Sequence, residues 1–136
     1  MLSRRGIWWL AVGLVLGCAE RDRLTFPDDT GGSGDGVGPL TAIDEPGAFD
    51  TVIVEGDQFV LTGHAVDPDG VDTVYFDVQG LNVGFAPLLG QGADTVSFGL
   101  PLTTIGFSGA TVLVRIHGVD MLGNVGQTVS RQLHIE

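Results

Sequence analysis

From Leu40 onward, hydrophobic and polar residues alternate in short runs, and turn residues separate the runs. In residues 58–66, for example, Phe59, Leu61 and Ala65 fall on one face. Alternation of this kind is typical of β-strands that bury one face. It predicts about seven strands, at residues 40–43, 51–54, 58–66, 71–79, 95–100, 110–120 and 125–135.

The strand pattern also decides the fold class. Among residues 40–136, no run of ten or more keeps a helical period free of glycine, proline or β-branched clusters. Short strands with frequent turn signals favour an antiparallel β-sandwich over a helical or mixed fold. The strand assignment stays open in residues 80–93, where several glycines and Pro87 interrupt the pattern.

Two turns stand out between these strands. Asp67-Pro68-Asp69-Gly70 lies between two alternating runs and combines three residue types that favour turns. The second turn ends in Gly123-Asn124, two residues that tolerate left-handed backbone geometry. The sequence therefore predicts a chain reversal at both places.

The segment before the strands predicts export. Arg4 and Arg5 precede an apolar run at residues 7–16, and the small residue Gly17 follows. This order is typical of a secretory signal, and the run is too short for the ~20 residues of a membrane-spanning helix. We therefore predict that residues 1–17 are a signal peptide.

Val15-Leu16-Gly17-Cys18 resembles the lipobox of bacterial lipoproteins. The resemblance implies that Cys18, the only cysteine, is lipidated and becomes the mature N-terminus. It also implies attachment to the cell envelope, and to the outer membrane if the cell has one, because Ala19 replaces the aspartate that often signals inner-membrane retention. An ordinary signal peptide or a membrane-bound N-terminal helix is the alternative.

Residues 18–39 follow as an acidic, glycine-rich segment without strand or helix periodicity, which predicts a flexible tether. Without residues 1–17 the chain has four arginines and no lysine against all 17 acids. A nucleic-acid partner is excluded on this balance, since binding there depends on Lys and Arg that neutralise phosphates. Membrane attachment accordingly depends on the lipid.

Residues 40–136 resemble the bacterial immunoglobulin-like domains of cell-surface proteins. The matching motifs are Ala65-Val66-Asp67 with Gly70-Val71, and Gly118-Val119-Asp120 with Gly123-Asn124. The resemblance implies an immunoglobulin-like sandwich and does not indicate an activity. Fibronectin type III or cadherin-like sandwiches remain open, because the Cys…Trp…Cys spacing of antibody domains is missing.

The residues that carry chemistry do not form a recognised catalytic pattern. Alternation and the immunoglobulin-like arrangement place His64 and His117 on the outer faces of different sheets, which disfavours a zinc site. Ser108 lacks the Gly-x-Ser-x-Gly spacing, and there is no lysine for a Ser-Lys or Schiff-base mechanism. We therefore expect no enzymatic activity and no required cofactor.

Oxygen-bearing side chains concentrate in the two turns. In an immunoglobulin-like sandwich these turns lie at the same end, so that the side chains converge there. The simpler hypothesis is that Asp67 and Asp120 cap their turns through backbone hydrogen bonds. The alternative is a calcium site, which uses hard oxygen ligands; its candidate ligands are Asp67, Asp69, Asp72, Asp120 and Asn124.

The leading functional prediction is a non-enzymatic, surface-anchored lipoprotein that displays one immunoglobulin-like domain for adhesion, protein–protein interaction or envelope assembly. The alternative is a module that binds a carbohydrate or depends on calcium, with the turn acids and Tyr75 as its site. A small secreted hydrolase or inhibitor is the third hypothesis.

Overall fold

Six β-strands form the regular structure of residues 34–136, the part of the chain that the computed structural model describes. No helix occurs within this part, which confirms the all-β prediction. The strands are β1 (Leu40–Glu45), β2 (Asp50–Ile53), β3 (Gln58–Gln79), β4 (Leu88–Thr103), β5 (Thr111–Asp120) and β6 (Val129–Ile135). Strand β4 includes part of the stretch that the sequence left open.

The strands form two layers, and the long strands β3 and β4 each run through both of them. In the first layer β1 and the second half of β4 flank the first half of β3. In the second layer the order is β4, β3, β5, β6 and β2. All pairs are antiparallel except β2 and β6, which run parallel. This arrangement is an immunoglobulin-like β-sandwich.

Strand β3 unites the two strands predicted at residues 58–66 and 71–79. Its pairing with β4 breaks between Val66 and Val71, where the predicted turn lies. Phe76 from the second half packs edge-on against Phe98, which pairs with the first half, at a ring-centroid distance of 5.4 Å. The predicted turn is therefore a corner in one strand, which folds the β3–β4 hairpin over itself and carries it from one layer to the other.

Gly70 makes close strand packing possible at this corner. Its φ is +91°, a conformation that side chains disfavour. A Cβ atom there would lie 2.7 Å from the carbonyl oxygen of Gly92 on β4. Residues 67–70, which predicted a turn between two separate strands, thus also permit one sharply bent strand.

The core between the layers is mainly aliphatic, with Phe98 as its buried aromatic residue. The predicted inward residues of β5, Val112, Val114 and Ile116, are fully buried. On β3, Val74 is fully buried as predicted, whereas Phe76 is half-buried at the edge of the core. The alternation therefore predicted the inward faces of these strands correctly, and the structure shows which of the inward residues lie at the edge of the core.

Arg131 on β6 holds the connection between β1 and β2. Its guanidinium donates hydrogen bonds to the carbonyl oxygens of Pro46 at 2.8 Å and Ile43 at 3.1 Å. Charged donors of this kind make stronger hydrogen bonds than neutral ones. The arginine thus joins the edge of one layer to the other.

Residues 34–39, the last part of the predicted tether, lie against the domain, and residues 34–136 form one compact unit. Pro39 is buried, and its carbonyl oxygen approaches Gly126 so closely that a Cβ on Gly126 would lie 2.0 Å away. The predicted signal peptide, Cys18 and the rest of the tether lie outside the described residues. No helix within residues 34–136 is long and apolar enough to cross a membrane.

Candidate functional site

Three aspartates meet at the end of the sandwich where residues 34–39 pack, and we call residues 34–39, 67–70 and 120–126 the loop end. One carboxylate oxygen from each of Asp67, Asp69 and Asp120 lies within 4.8 Å of the other two. Asp67 and Asp120 are each only 1% exposed, and Asp69 is half-buried. In residues 34–136 this is the one group of three or more His, Cys, Asp or Glu close enough to hold a metal ion.

The buried aspartates cap their own turns. Asp67 Oδ1 accepts a hydrogen bond from the backbone N–H of Asp69 at 2.7 Å. Asp120 Oδ1 accepts from the backbone N–H groups of Leu122 at 2.8 Å and Asn124 at 2.7 Å. The geometry is that of the capping hypothesis, in which short polar side chains close local turns.

The two buried carboxyl groups differ in electrostatics. Burial raises the pKa of Asp67 above its usual 3.8, and the nearby Asp120 and Asp35 carboxylates raise it further, against one backbone hydrogen bond from Asp69. Burial acts in the same direction on the pKa of Asp120, but hydrogen bonds from the side chain and backbone of Asn124 and from Leu122 outweigh it and lower that pKa. Asp120 is therefore the stable anion of the pair.

The remaining predicted ligands have other partners. Asp72 accepts a hydrogen bond from the hydroxyl of Thr73 at 2.9 Å and is not in the three-aspartate group. Asn124 donates its side-chain N–H to Asp120 Oδ2 at 2.7 Å. Of the five candidate residues, the structure therefore brings together three carboxylates, with Asn124 attached to one of them.

Asp35 also reaches the loop end, although no motif in the sequence indicated it. Its backbone N–H donates to Asp69 Oδ2 at 3.0 Å. Asp35 lies in a glycine-rich segment without hydrophobic periodicity, and this segment packs through close backbone contacts. Asp35 is therefore the fourth acid at the loop end.

The three histidines lie apart, as the alternation predicted for His64 and His117. His64 contacts Asp44 at 2.9 Å, and His134 contacts Asp50 at 2.8 Å. His117 stacks on Tyr75 with ring centroids 5.3 Å apart. The register of β3 and β5 places Tyr75 directly opposite His117, so correct strand pairing would have revealed this stack from the sequence.

Comparison with solved structures shows the same kind of fold. A point mutant of the SrpA adhesin from Streptococcus sanguinis matches with a TM-score of 0.52 at 14% identity, over 73% of this chain and 57% of that chain. Another SrpA structure matches with a TM-score of 0.49 at 14% identity, over 76% and 59%. The fibronectin(III)-like modules of CbhA from Clostridium thermocellum match with a TM-score of 0.48 at 16% identity, over 71% and 97%.

These likenesses concern the β-sandwich alone, because sequence identity is very low. The chain spans 57% of the length of the first adhesin structure. No protein-family model matches the sequence, and no curated protein matches it.

Proposed function

We propose that this chain is a non-enzymatic, lipid-anchored surface protein that displays one immunoglobulin-like domain for protein interaction, in adhesion or envelope assembly. The lipid is attached at Cys18, and the tether carries the domain away from the membrane. In this proposal the lipid is the sole membrane contact, and the partner is another protein at the cell surface.

The observation that carries the proposal is where the N-terminal segment meets the domain. Residues 34–39 pack on Gly118 and Gly126 and bond to Asp69, all at or beside the loop end. In this proposal the tether joins the domain at the loop end, so the opposite end of the sandwich stays free for a partner. The arrangement suits display of that end to other molecules.

The two buried aspartates and the three histidines of residues 34–136 have structural partners. Asp67 and Asp120 cap turns, His64 and His134 bond to aspartates, and His117 stacks on Tyr75. A catalytic group instead needs to reach a substrate atom in a suitable site. These partners support a binding role rather than catalysis.

Replacement of Cys18 tests the anchoring. In Cys18→Ser, fatty-acid labelling is expected to disappear and the protein is expected to move from the detergent phase to the aqueous phase. Ala19→Ser, which keeps the cysteine, serves as the matched control and is expected to remain labelled. Unchanged labelling and partitioning of Cys18→Ser would contradict the lipid anchor.

A calcium-dependent binding module is the second candidate, favoured by the approach of Asp67, Asp69 and Asp120. Carboxylate oxygens are the ligands that calcium prefers, and six to eight oxygens usually surround it. The three aspartates supply part of such a set, and both oxygens of Asp120 already accept N–H donors. The present hydrogen bonds therefore favour turn caps.

A further inference from the structure

The end of the sandwich opposite the loop end carries an apolar groove. Residues 56–60 and 101–105 line this far groove, which has a volume of about 320 Å³. Its apolar lining comes mainly from Phe59, Val60, Leu102 and Ile105, of which Ile105 is 68% exposed and Val60 48% exposed. From Gln58 to the corner of β3 the strand covers roughly 30 Å, so the groove is well separated from the three aspartates.

Thr104 links the two turns that border the groove, at residues 54–57 and 104–107, and so holds its walls in place. Thr104 is 1% exposed, and its hydroxyl accepts from the backbone N–H of Gly56 at 2.9 Å and donates to the carbonyl oxygen of Asp57 at 3.2 Å. The turns are further closed by bonds from Asp57 N–H to Val54 and from Phe107 N–H to Thr104. A groove formed in advance binds at a lower entropic cost than one that must be ordered.

The rim of the groove is acidic. Asp57 lines it, and the neighbouring Glu55 accepts a hydrogen bond from the backbone N–H of Gly106 in the facing turn. Glu136 is paired with the Glu55 and Ile53 backbones at the same end. The two arginines of residues 34–136 lie elsewhere, Arg115 beside Asp77 and Arg131 on the β1–β2 connection.

This combination determines which occupant fits. A second copy of the chain is disfavoured, because the chain has a net charge of −11 and two acidic rims repel each other. A basic side chain next to an apolar one complements both the carboxylates and the groove. The complementary partner is therefore a protein segment, not another acidic domain.

We propose that the far groove binds an extended protein segment in which apolar side chains alternate with lysine or arginine. The apolar side chains fill the space between Val60 and Ile105, and the cations lie against Glu55 and Asp57. This inference rests on the proposed interaction function and names the chemistry of its partner.

The test uses the full chain, purified in a neutral detergent, and three dye-labelled probes of equal length. They are acetyl-Lys-Leu-Lys-Leu-Lys-amide and its two counterparts with serine or glutamate in place of lysine. Fluorescence anisotropy is expected to show binding of the lysine probe, weaker binding of the serine probe and none of the glutamate probe. Binding of the lysine probe is expected to weaken as salt is raised.

Matched variants locate the site. Glu55→Gln with Asp57→Asn is expected to weaken binding of the lysine probe by roughly three- to tenfold. Asp35→Asn with Asp94→Asn removes the same charge from exposed positions near the loop end and the corner of β3, far from the groove, and a change below about twofold is expected. Ile105→Ser is expected to weaken binding, whereas Leu89→Ser, at a position that is 65% exposed, is expected to leave it unchanged.

If the rim and control variants weaken binding of the lysine probe equally, the probe is attracted by the overall negative charge of the protein. That result overturns the proposal that it binds in the far groove. Failure of the lysine probe to bind also overturns it. Neither result contradicts the proposed interaction function, which is tested by anchoring and by cross-linking on cells. Circular dichroism of each variant verifies that the fold is retained.

Discussion

Carboxylate oxygens of Asp67 and Asp120 lie within 4.8 Å of each other, yet the pKa values of the two groups shift in opposite directions. Asp120 has three N–H donors from its own turn, which stabilise its anion. Asp67 has fewer donors and is buried beside other acids, which favours its protonated form. The loop end thus combines a stabilising carboxylate with a destabilising one at neutral pH.

Opposite effects are therefore expected from the two amide substitutions. The raised pKa of Asp67 means that its contribution to stability is present below 3.8, the usual value, and is lost as the pH rises through the folded-state pKa. Asp67→Asn removes that loss and is expected to raise the Tm at pH 7. The oxygen of the new amide still accepts from Asp69.

The lowered pKa of Asp120 has the reverse consequence. Its stabilisation is present above 3.8 and is lost as the pH falls through the folded-state pKa. Asp120→Asn is expected to lower the Tm at pH 7 and to approach the wild-type Tm at acid pH. Thermal melts of both variants from pH 3 to pH 7 measure the two effects, and the same sign in both at pH 7 would contradict this assignment.

Calcium is expected to have little effect on stability, because the loop-end aspartates act as caps. If a site of about 0.1–1 mM affinity were present, a few millimolar calcium would add about 1.4 kcal/mol to the free energy of unfolding. That corresponds to a Tm rise of roughly 5–10 °C for a domain of this size. Melts in chelator and in calcium at matched ionic strength are expected to agree within about 1 °C; the larger rise would favour the calcium-dependent module.

Core positions are expected to differ according to burial. Leu61 is fully buried, so Leu61→Ala is expected to lower the free energy of unfolding by about 2–5 kcal/mol. Phe76 is half-buried against Phe98 at the rim, and Phe76→Ala is expected to cost less than a fully buried phenylalanine, about 2 kcal/mol. Denaturant unfolding measures both values, and a near-zero cost at Leu61 would show that the layers are packed differently.

Close packing of the N-terminal segment depends on Gly126. A Cβ there would overlap the Pro39 carbonyl oxygen, so Gly126→Ala is expected to displace residues 34–39 and speed their amide hydrogen exchange. Gly84→Ala is the matched control, because nothing lies within 4 Å of the added atom. Unchanged exchange at residues 34–39 in Gly126→Ala would mean that the segment does not dock on this turn.

The parts of the fold that could be predicted from the sequence are those where hydrophobic and polar residues alternate. Alternation placed Leu61, Val74 and Val114 in the core because each strand buries one face. It did not reveal that β3 continues through residues 67–70, since the same proline, aspartate and glycine suit a turn and a corner. Local sequence motifs do not specify whether a chain reverses or bends.

The candidate sites were predicted only where a turn motif identified them. The turn motifs indicated Asp67 and Asp120, and the structure shows which backbone groups they bond. The packing of residues 34–39 and the bridge from Thr104 depend on contacts between segments distant in sequence. Neither leaves a periodic signal, so both required the three-dimensional arrangement.

The most direct test of a displayed interaction domain is site-specific photo-cross-linking on intact cells that produce the full chain with Cys18 in place. A photoreactive amino acid replaces Ile105 at the far groove or, as the loop-end control, Met121, which is also exposed. If the domain is displayed on a lipid anchor, position 105 is expected to give a discrete adduct with another envelope protein and position 121 none, and the adduct is expected to disappear in Cys18→Ser. Identical adducts from both positions, or an adduct that persists without Cys18, would contradict this proposal.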